Sequence, residues 1–316
     1  MPDQIMYYFS SSSGLTSAQT GNALVDGKNY IDYTGDPNGK TASDAQAYAR
    51  RIRSTGGAAP MYYQTFNFDP NATYTLSIYA KAYGGQGAET FRLFAHDGFN
   101  IVVNGSTNKK ACDSVAAEVR SLGVDSLVAM GDIGLKVDVD NISKIVLKKF
   151  SSVDILVNNA AIRPSSKFLN MSEEEWNRVI AVNLGAAFLL SQTFIPQMIK
   201  KKWGRIINFA GLNAIHGYNG RAHVSVSKHG VWGLTKALAK EFGPHGITTN
   251  VISPGPIKTD HDDPAMTKHI EAMQSRVPVG RLGTTDEISA VVSLLASNEG
   301  GFINGELIKV NGGAET

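Results

Sequence analysis

The sequence is short of the features that mark secreted, membrane-bound and nucleic-acid-binding proteins. It has one cysteine in 316 residues, which excludes an internal disulfide framework and favours a reducing compartment. The net charge is +2 and charged residues make up 18%, so no strongly charged surface is expected to attract nucleic acid or a membrane. The N-terminus lacks the basic and apolar parts of a signal peptide, and no apolar run approaches transmembrane length. We therefore expect a cytoplasmic protein with no nucleic-acid or membrane partner.

The composition changes near residue 85. Ten of the eleven tyrosines lie between Tyr7 and Tyr83, and all three tryptophans follow them. The early part is rich in serine, glycine and asparagine and carries turn signals such as GDPNG at residues 35–39. We interpret residues 1–72 as an atypical, irregular N-terminal segment, for which a small β-rich module and a leader without fixed structure are both open. Residues 73–316 are interpreted as one domain.

Short apolar runs then alternate with stretches of helical periodicity. Runs that are apolar on both faces predict parallel strands covered by helices on both sides. The alternation in TYTLSIYAKAY (73–83) predicts a further strand, and Ser172 with Glu175 has the spacing of a capping box. The fold class is therefore α/β, a doubly wound parallel sheet that binds its ligand beyond the carboxyl ends of the strands. The strand-like runs are NIVVN (100–104), SLVAMGDI (126–133), VDILVNNAA (153–161), GRIINFAG (204–211), TTNVISPG (248–255) and GELIKVNGG (305–313).

Small, amide and proline residues follow three of these strands, where a core would not need them. The NNAA run at 158–161 lets a planar ring and a ribose approach the backbone, although a plain turn has the same composition. Asp132 with Ile133 offers a carboxylate to an adenine amino group. The run SPGPIKT (253–259) is a rigid turn with a free amide and a hydroxyl, which suits a carboxamide and a pyrophosphate. Because the carboxyl ends of parallel strands meet at one edge, the three together predict a nucleotide site.

In the order of these segments, the chain resembles the short-chain dehydrogenase/reductase family, most closely its 3-oxoacyl-carrier-protein reductase-like branch. The resemblance runs from about Gly85 to Gly313 and is carried chiefly by residues 227–259 (SKHGVWGLTKALAKEFGPHGITTNVISPGPIKT). It implies a Rossmann-like domain, a nicotinamide cofactor, a small-molecule carbonyl substrate and a homodimer or homotetramer. No metal site is predicted. The cofactor-binding residues implied are Gly85, Gly87, Asp132, Ile133, Asn158, Ala160, Lys228, Pro254, Gly255, Ile257 and Thr259.

The family's glycine loop is incomplete in this chain. In the family, a threonine, a glycine, three residues, a glycine, any residue and a glycine follow the first strand, so that the backbone touches the pyrophosphate. In an alignment without gaps, Ala80 and Lys81 replace the threonine and the first glycine, while Gly85 and Gly87 match the other two. A flexible turn accounts for such a glycine cluster nearly as well.

The end of the second predicted strand bears on the choice of cofactor. An acidic residue at this place takes the ribose hydroxyls of NAD. Asn104 and Ser106 are neutral, and Lys109 and Lys110 follow them, either to meet a 2′-phosphate or to begin a solvated helix. We predict NADP, with NAD as the less favoured cofactor.

Half of the family's catalytic group is missing. In the family, a tyrosine transfers the hydroxyl proton, and a lysine four residues later on the same helix face lowers its pKa and holds the ribose. A serine orients the carbonyl, and an asparagine fixes a water. Lys228 and Asn183 match the lysine and the asparagine, but Val224 stands at the tyrosine position and Gly211 at the serine position. Neither replacement can donate a proton.

Other groups could supply the missing proton. His216 and Tyr218 lie in the glycine-flanked loop HGYNGR, and a histidine titrates near neutral pH. Lys228 itself could act as the acid if it is desolvated beside the nicotinamide. We take Lys228, Asn183, His216 and Tyr218 as the candidate catalytic residues, and residues 260–278 as a lid over the substrate.

The leading interpretation is an NADP(H)-dependent oxidoreductase that acts on a carbonyl or a secondary alcohol, similar to 3-oxoacyl reductases, with a degenerate catalytic centre. General acid–base catalysis is typically worth about 10²–10⁴-fold, so its loss cripples turnover without necessarily abolishing it. Two alternatives are open. The fold could be catalytically vestigial and serve as a binding or regulatory protein, or it could be a non-redox lyase or cyclase that uses Lys228 or His216.

Overall fold

The computed structural model describes residues 75–79, 90–91, 94–95, 97–211, 213–258 and 272–315, with the backbone alone at 75–79 and 213–214. The predicted N-terminal segment 1–72, its boundary with the following domain, and most of the predicted lid 260–278 lie outside these ranges.

The described strands form one seven-stranded parallel sheet. They are β1 (Thr75–Tyr79), β2 (Asn100–Gly105), β3 (Ser126–Met130), β4 (Ile155–Asn158), β5 (Gly204–Phe209), β6 (Ile247–Pro254) and β7 (Leu307–Val310). Their order across the sheet is β3-β2-β1-β4-β5-β6-β7. β1, predicted from the alternation in residues 73–83, lies near the middle and pairs with β2 and β4. Since the chain moves outward from β1 to β3 and then returns to β4, the sheet is doubly wound, and the predicted fold class is confirmed.

Helices cover both faces of this sheet. They are α1 (Lys109–Ser121), α2 (Lys136–Phe150), α3 (Glu173–Ile180), α4 (Ala186–Lys201), α5 (Asn213–His216), α6 (Ala222–Phe242) and α7 (Thr285–Ala296). Short 3₁₀ turns lie at Phe168–Asn170, Gly243–His245, Gln274–Arg276 and Glu299–Phe302. α1 and α7 share one core cluster with the sheet, α2 and α4 share a second, and Val231 of α6 packs in a third with Val251 of β6.

The first two of these clusters explain why the strands are apolar on both faces. On one face Cys112 of α1 and Leu295 of α7 pack with Ile101. On the other, Ile142 of α2 and Phe194 of α4 pack in a separate cluster. Burying one such aliphatic or aromatic side chain contributes about 1.5–3 kcal/mol, so the sheet is stabilised from both sides.

The predicted capping box at the start of α3 is only half present. Ser172 Oγ accepts from Glu175 N (3.1 Å), as expected of an N-cap. The carboxylate of Glu175, however, lies 2.9 Å from His223 Nε2 on α6 rather than on the backbone of Ser172. A complete box, which the sequence analysis did not find, caps α7 through Thr284 and Glu287.

A π turn at Ala181–Gly185 joins α3 to α4, so that one helix runs over Glu173–Lys201. By length and composition this 29-residue helix could cross a membrane, which corrects the expectation that no stretch approaches that size. Half of its apolar window is buried inside the protein. Leu190 and Phe194 are among the side chains that pack in the core, and this packing accounts for the apolar composition.

Candidate functional site

The carboxyl ends of the central strands lie side by side. Tyr79 is in register with both Asn104 and Asn158, and Asn158 is in register with Asn208. A cavity lies beyond β3 and β4, between the sheet, the π turn and α6. It is lined by Ile133, Asn158, Ala160, Val182, Asn183, Ala186, Ala187 and Val231. Four residues predicted from sequence, at 133, 158, 160 and 183, therefore meet in one cavity at the predicted edge.

A chain of side-chain hydrogen bonds runs from this cavity to α6. Asn158 Nδ2 donates to Asn208 Oδ1 (2.8 Å). Asn208 Nδ2 donates to Thr235 Oγ1 (3.0 Å). The other polar atom of the first amide, Asn158 Oδ1, is buried and has no hydrogen-bond partner in the described part of the chain. Leaving a buried acceptor unpaired costs about 1–3 kcal/mol, so a ligand hydroxyl or N–H at this point gains a stabilising contact.

Asn183 is buried in the π turn and holds the segment that follows β4. Its Oδ1 accepts from Ile162 N (2.9 Å), and its Nδ2 donates to Ile162 O (3.0 Å) and to Ser227 Oγ (3.1 Å). Both N–H groups of the amide are therefore used by the protein. The geometry makes Asn183 a brace between the β4 loop and α6, and its predicted contact with a water stays a prediction.

Lys228 is buried at the same edge of the sheet. It is 3% exposed, and its Nζ donates to Phe209 O (2.7 Å), at the last residue of β5. An ammonium has three N–H donors, and no carboxylate pairs with this one in the described part of the chain. Burial, aided by repulsion from Arg163, lowers the pKa of Lys228 to about 7. The side chain can therefore hold or release a proton near neutral pH.

Val224 and Gly211, predicted to stand at the family's tyrosine and serine positions, have different surroundings. Val224 is 0% exposed, so its side chain fills space inside the protein rather than lining open solvent. Gly211 has φ +106°, and a Cβ added there would meet no atom within 4 Å. The space for a serine side chain exists, but the backbone has a conformation that L-residues rarely adopt.

His223, next to Val224, is hydrogen-bonded to Glu175 of α3. Its Nδ1 accepts from Val224 N (2.9 Å), so the ring proton lies on Nε2 and is shared with Glu175 Oε1. The imidazole is 0% exposed. This ring links α3 to α6, and neither of its nitrogens is left for a substrate.

The two residues proposed as substitute acids lie at the surface, and His216, predicted in a loop, is the last residue of α5. His216 Nε2 pairs with the carboxylate of Glu315, in the C-terminal segment after β7. Tyr218 is 40% exposed. Neither side chain hydrogen-bonds to Lys228 in the part of the chain that is described, and their catalytic role stays a prediction.

Asp132, predicted to meet an adenine, forms a bidentate ion pair with Arg178 of α3. The two N–O distances are 3.2 and 2.5 Å, and Gly134 N also donates to Asp132 Oδ1 (2.9 Å). Burial raises the pKa of Asp132, but the hydrogen bonds from Arg178 and Gly134 outweigh it and hold the pKa below its usual value. Most of the acceptor capacity of this carboxylate is thus used within the protein, which leaves little for an adenine.

The end of β2 presents no carboxylate. Asn104 is buried, and its Nδ2 donates to Ala129 O (2.7 Å) on β3, so this amide serves the sheet. Asn108 caps α1 by accepting from Ala111 N (3.0 Å). Lys109 pairs with Asp113 one turn on, at the exposed start of that helix.

The SPGPIKT turn after β6 is held by the protein itself. Gly255 N donates to Val310 O (3.0 Å), and a Cβ on Gly255 would stand 2.6 Å from Asn311 Cα, so glycine is required there by the close approach of the β7 segment. Ile257 is buried and forms a bridge with Gly283. These contacts give the turn a fixed shape without a ligand. Pro254 ends β6, whereas Thr259, Gly85 and Gly87 lie outside the described residues.

Two arginines at this edge were not predicted from the sequence, Arg163 after β4 and Arg221 at the start of α6. Both act electrostatically on this edge, since Arg163 acts on Lys228 and Arg221 acts on Arg163. The spacing of Arg221 and Lys228, seven residues apart on one helix, could have indicated a shared face. Among the described residues, no group of three His, Cys, Asp or Glu side chains could hold a metal ion.

Comparison with known proteins agrees with this architecture. Residues 82–315 match the family model described as Enoyl-(Acyl carrier protein) reductase. The chain belongs to the short-chain dehydrogenase/reductase family. It is therefore a member of a family of oxidoreductases, as the resemblance implied.

Curated relatives and a solved structure extend this result. The 3-oxoacyl-(acyl-carrier-protein) reductase FabG of Staphylococcus aureus is 35% identical over 229 residues, which are 72% of this chain and 93% of the relative. Nodulation protein G of Azospirillum brasilense is 36% identical over 241 residues, 75% of this chain and 97% of the relative. The crystal structure of acetoin dehydrogenase YohF from Salmonella typhimurium has a TM-score of 0.70 and 28% identity, covering 77% of this chain and 96% of that one.

Proposed function

We propose that this short-chain oxidoreductase reduces a carbonyl group with NADPH and uses Lys228 as the proton donor in place of the family's tyrosine. The carrying observation is a buried ammonium at the carboxyl edge that has one backbone acceptor and no carboxylate partner among the described residues. The names of the relatives, a 3-oxoacyl reductase and an acetoin dehydrogenase, support a carbonyl or secondary alcohol as the reacting group.

The chemistry of the residues at the cavity suits part of a nicotinamide dinucleotide. The unpaired buried oxygen of Asn158 is a ready acceptor for a ligand hydroxyl or N–H, and the small side chain of Ala160 lines the same cavity. β2 ends without an acidic side chain, which favours NADP over NAD. Lys228 offers N–H donors to the ribose hydroxyls as well as to a substrate oxygen.

A reduced nicotinamide, when bound, supplies the hydride that reaches the carbonyl carbon. As the C=O π bond breaks, Lys228 Nζ donates a proton to the carbonyl oxygen, and the product is an alcohol. The neutral amine then takes a proton from water. Because its pKa is about 7, Lys228 can be both protonated before the step and reprotonated after it at neutral pH. Asn183 positions this group indirectly, through its hydrogen bond to Ser227, the residue before Lys228 in α6.

The test combines cofactor binding with turnover. NADPH and NADH binding are followed by fluorescence, and oxidation is then followed by absorbance with an acetoacetyl thioester. Lys228→Met removes the proton donor, and Lys240→Met is the matched control, because Lys240 is exposed and lies twelve residues further along α6, about 18 Å away. We expect turnover in the wild type and the control and a loss of about 10²–10⁴-fold in Lys228→Met.

Three outcomes would overturn the proposal. Turnover that survives Lys228→Met would exclude the lysine as the donor. Tight NADPH binding without oxidation of any carbonyl compound would favour a vestigial binding protein. This alternative agrees with the buried Val224 and with Gly211, since neither side chain can donate a proton. If a compound is consumed without cofactor oxidation, a lyase or cyclase using Lys228 or His216 is the better interpretation.

Assembly and location are part of the same proposal. Phe188 on α4 and Val226 on α6 are large apolar residues that are nearly half exposed. Their position on the long helices supports a homodimer or homotetramer built through these helices. A cytoplasmic location, with no nucleic-acid or membrane partner, agrees with the near-neutral charge and the single cysteine.

A further inference from the structure

Two loops that carry unpaired arginines meet at the start of α6. Arg163 follows Ile162, which Asn183 holds by two hydrogen bonds. Arg221 is the N-cap residue of α6. The loops are joined by Ser166 N, which donates to Gly220 O (2.8 Å). The hydrogen bond therefore holds the two loops together, with both arginines close enough to act on each other electrostatically.

The helix adds two more polar groups to this region. Arg221, Ser225 and Lys228 are spaced by four and then three residues, so they share one face of α6. The hydroxyl Ser225 Oγ is buried and has no hydrogen-bond partner within the described part of the chain. The face thus presents a cation, an unsatisfied hydroxyl and a second cation in sequence.

Among the described residues, no carboxylate pairs with the two arginines of this region. Neither Arg163 nor Arg221 forms an ion pair or a side-chain hydrogen bond within that part of the chain. Two carboxylates on the surrounding elements are engaged elsewhere, Glu175 by His223 and Asp132 by Arg178. Arg163 is close enough to Lys228 to disfavour its charged form. Like charges held together in this way are unfavourable unless an anion joins them.

We propose that Arg163 and Arg221 bind an anionic group, a carboxylate or a phosphate, that is part of the carbonyl substrate. The substrate class is then a small oxo-acid or oxo-phosphate, whose charged end lies on the arginines while its carbonyl oxygen faces Lys228. A guanidinium matches the planar oxygen pair of either group, and an anion there offsets the repulsion between Arg163 and Lys228. This inference rests on the proposed function only for the reacting carbonyl.

The experiment measures binding separately from turnover. Dissociation constants are measured by calorimetry on the full chain with NADP⁺, so that no reduction occurs, for two matched pairs of probes. Acetoacetate is compared with methyl acetoacetate, and dihydroxyacetone phosphate with dihydroxyacetone. Variants are Arg163→Met, Arg221→Met and Arg163→Lys, with Lys200→Met as the control, since Lys200 is exposed at the end of α4, near the opposite edge of the sheet.

In the wild type and in Lys200→Met, we expect at least one anionic probe to bind about tenfold or more tightly than its neutral partner. Each arginine-to-methionine variant should lose about 10- to 100-fold in affinity for that anion alone, and Arg163→Lys should regain part of it. The anion that shows this preference distinguishes a carboxylate from a phosphate. Equal binding of charged and neutral probes, or a preference that survives both methionine variants, overturns the inference.

The same set separates this inference from the proposed function. If the anion binds through the arginines but NADPH is not oxidised, the anion site stands and the oxidoreductase mechanism fails. If the charged and neutral members of each pair, acetoacetate with methyl acetoacetate and dihydroxyacetone phosphate with dihydroxyacetone, are reduced with equal kcat/KM, the oxidoreductase stands and the anion site fails.

Discussion

Replacing Lys228 with methionine should change the pH dependence of stability in a direction set by burial. Methionine keeps most of the side-chain volume and removes the ammonium. The folded protein holds the pKa of Lys228 at about 7, whereas the unfolded chain has the ordinary value of 10.5. Between these values the unfolded state binds one proton more than the folded state. Raising the pH therefore stabilises the wild type, and this gain is absent from Lys228→Met.

The size of the effect follows from the shift. Each pH unit between about 7 and 10 should raise the free energy of unfolding of the wild type, relative to Lys228→Met, by about 1.4 kcal/mol. From pH 7.5 to pH 9.5 the difference is therefore about 3 kcal/mol. At pH 7.5 the methionine variant gains at most about 4 kcal/mol of stability, because the buried amine is removed. Loss of the hydrogen bond to Phe209 O reduces this gain by about 1 kcal/mol.

Urea denaturation of both proteins at pH 7.5, 8.5 and 9.5 measures this difference. Tyrosine and cysteine titrations affect both proteins alike and cancel in the comparison. If the difference in free energy of unfolding between the wild type and Lys228→Met stays constant over the three pH values, the pKa of Lys228 is not lowered by burial and the reasoning is refuted. Saturating NADPH should reduce the slope in the wild type, because ribose oxygens accept from the ammonium and favour its charged form.

Three further predictions concern stability and rate. Val224→Tyr should raise kcat by restoring a phenol one turn before Lys228, while overpacking lowers the free energy of unfolding by about 1–3 kcal/mol; an unchanged kcat with intact NADPH binding would count against a vacant donor position. Asn183→Ala removes three hydrogen bonds to Ile162 and Ser227 and should cost about 3 kcal/mol in chemical denaturation, and a cost below 1 kcal/mol would contradict the brace. Thr284→Ala should cost about 1 kcal/mol through loss of the α7 cap, whereas Thr284→Ser should cost little.

The fold could be predicted because its signals are local. Strand-length apolar runs gave six of the strands, and the alternation in residues 73–83 gave β1, even though that stretch lies in the unusual early part of the chain. The carboxyl edge followed from the parallel arrangement, and it did bring Ile133, Asn158, Ala160 and Asn183 together. These inferences need only the period of the pattern and the rule that parallel strands end on one side.

The parts that could not be predicted depend on contacts between distant residues. Asp132 was assigned to an adenine, but Arg178, which takes the carboxylate, lies 46 residues away. Glu175 has the right local spacing for a capping box, yet a histidine 48 residues on competes successfully for its side chain. Arg163 and Arg221 become neighbours only because two loops are joined by a backbone hydrogen bond. Spacing along the chain carries no information on such pairs.

The left-handed backbone at Gly211 has a consequence for engineering at this position. A serine there would cost about 1–3 kcal/mol of strain, so a single glycine-to-serine change adds a hydroxyl only at the expense of stability. Changes that first reshape the strand-to-loop turn would remove this cost, and Val224→Tyr alone supplies only one of the two hydroxyls. A laboratory selection for faster turnover should therefore accumulate changes in the neighbouring loop before it gains a residue at 211 with a hydroxyl.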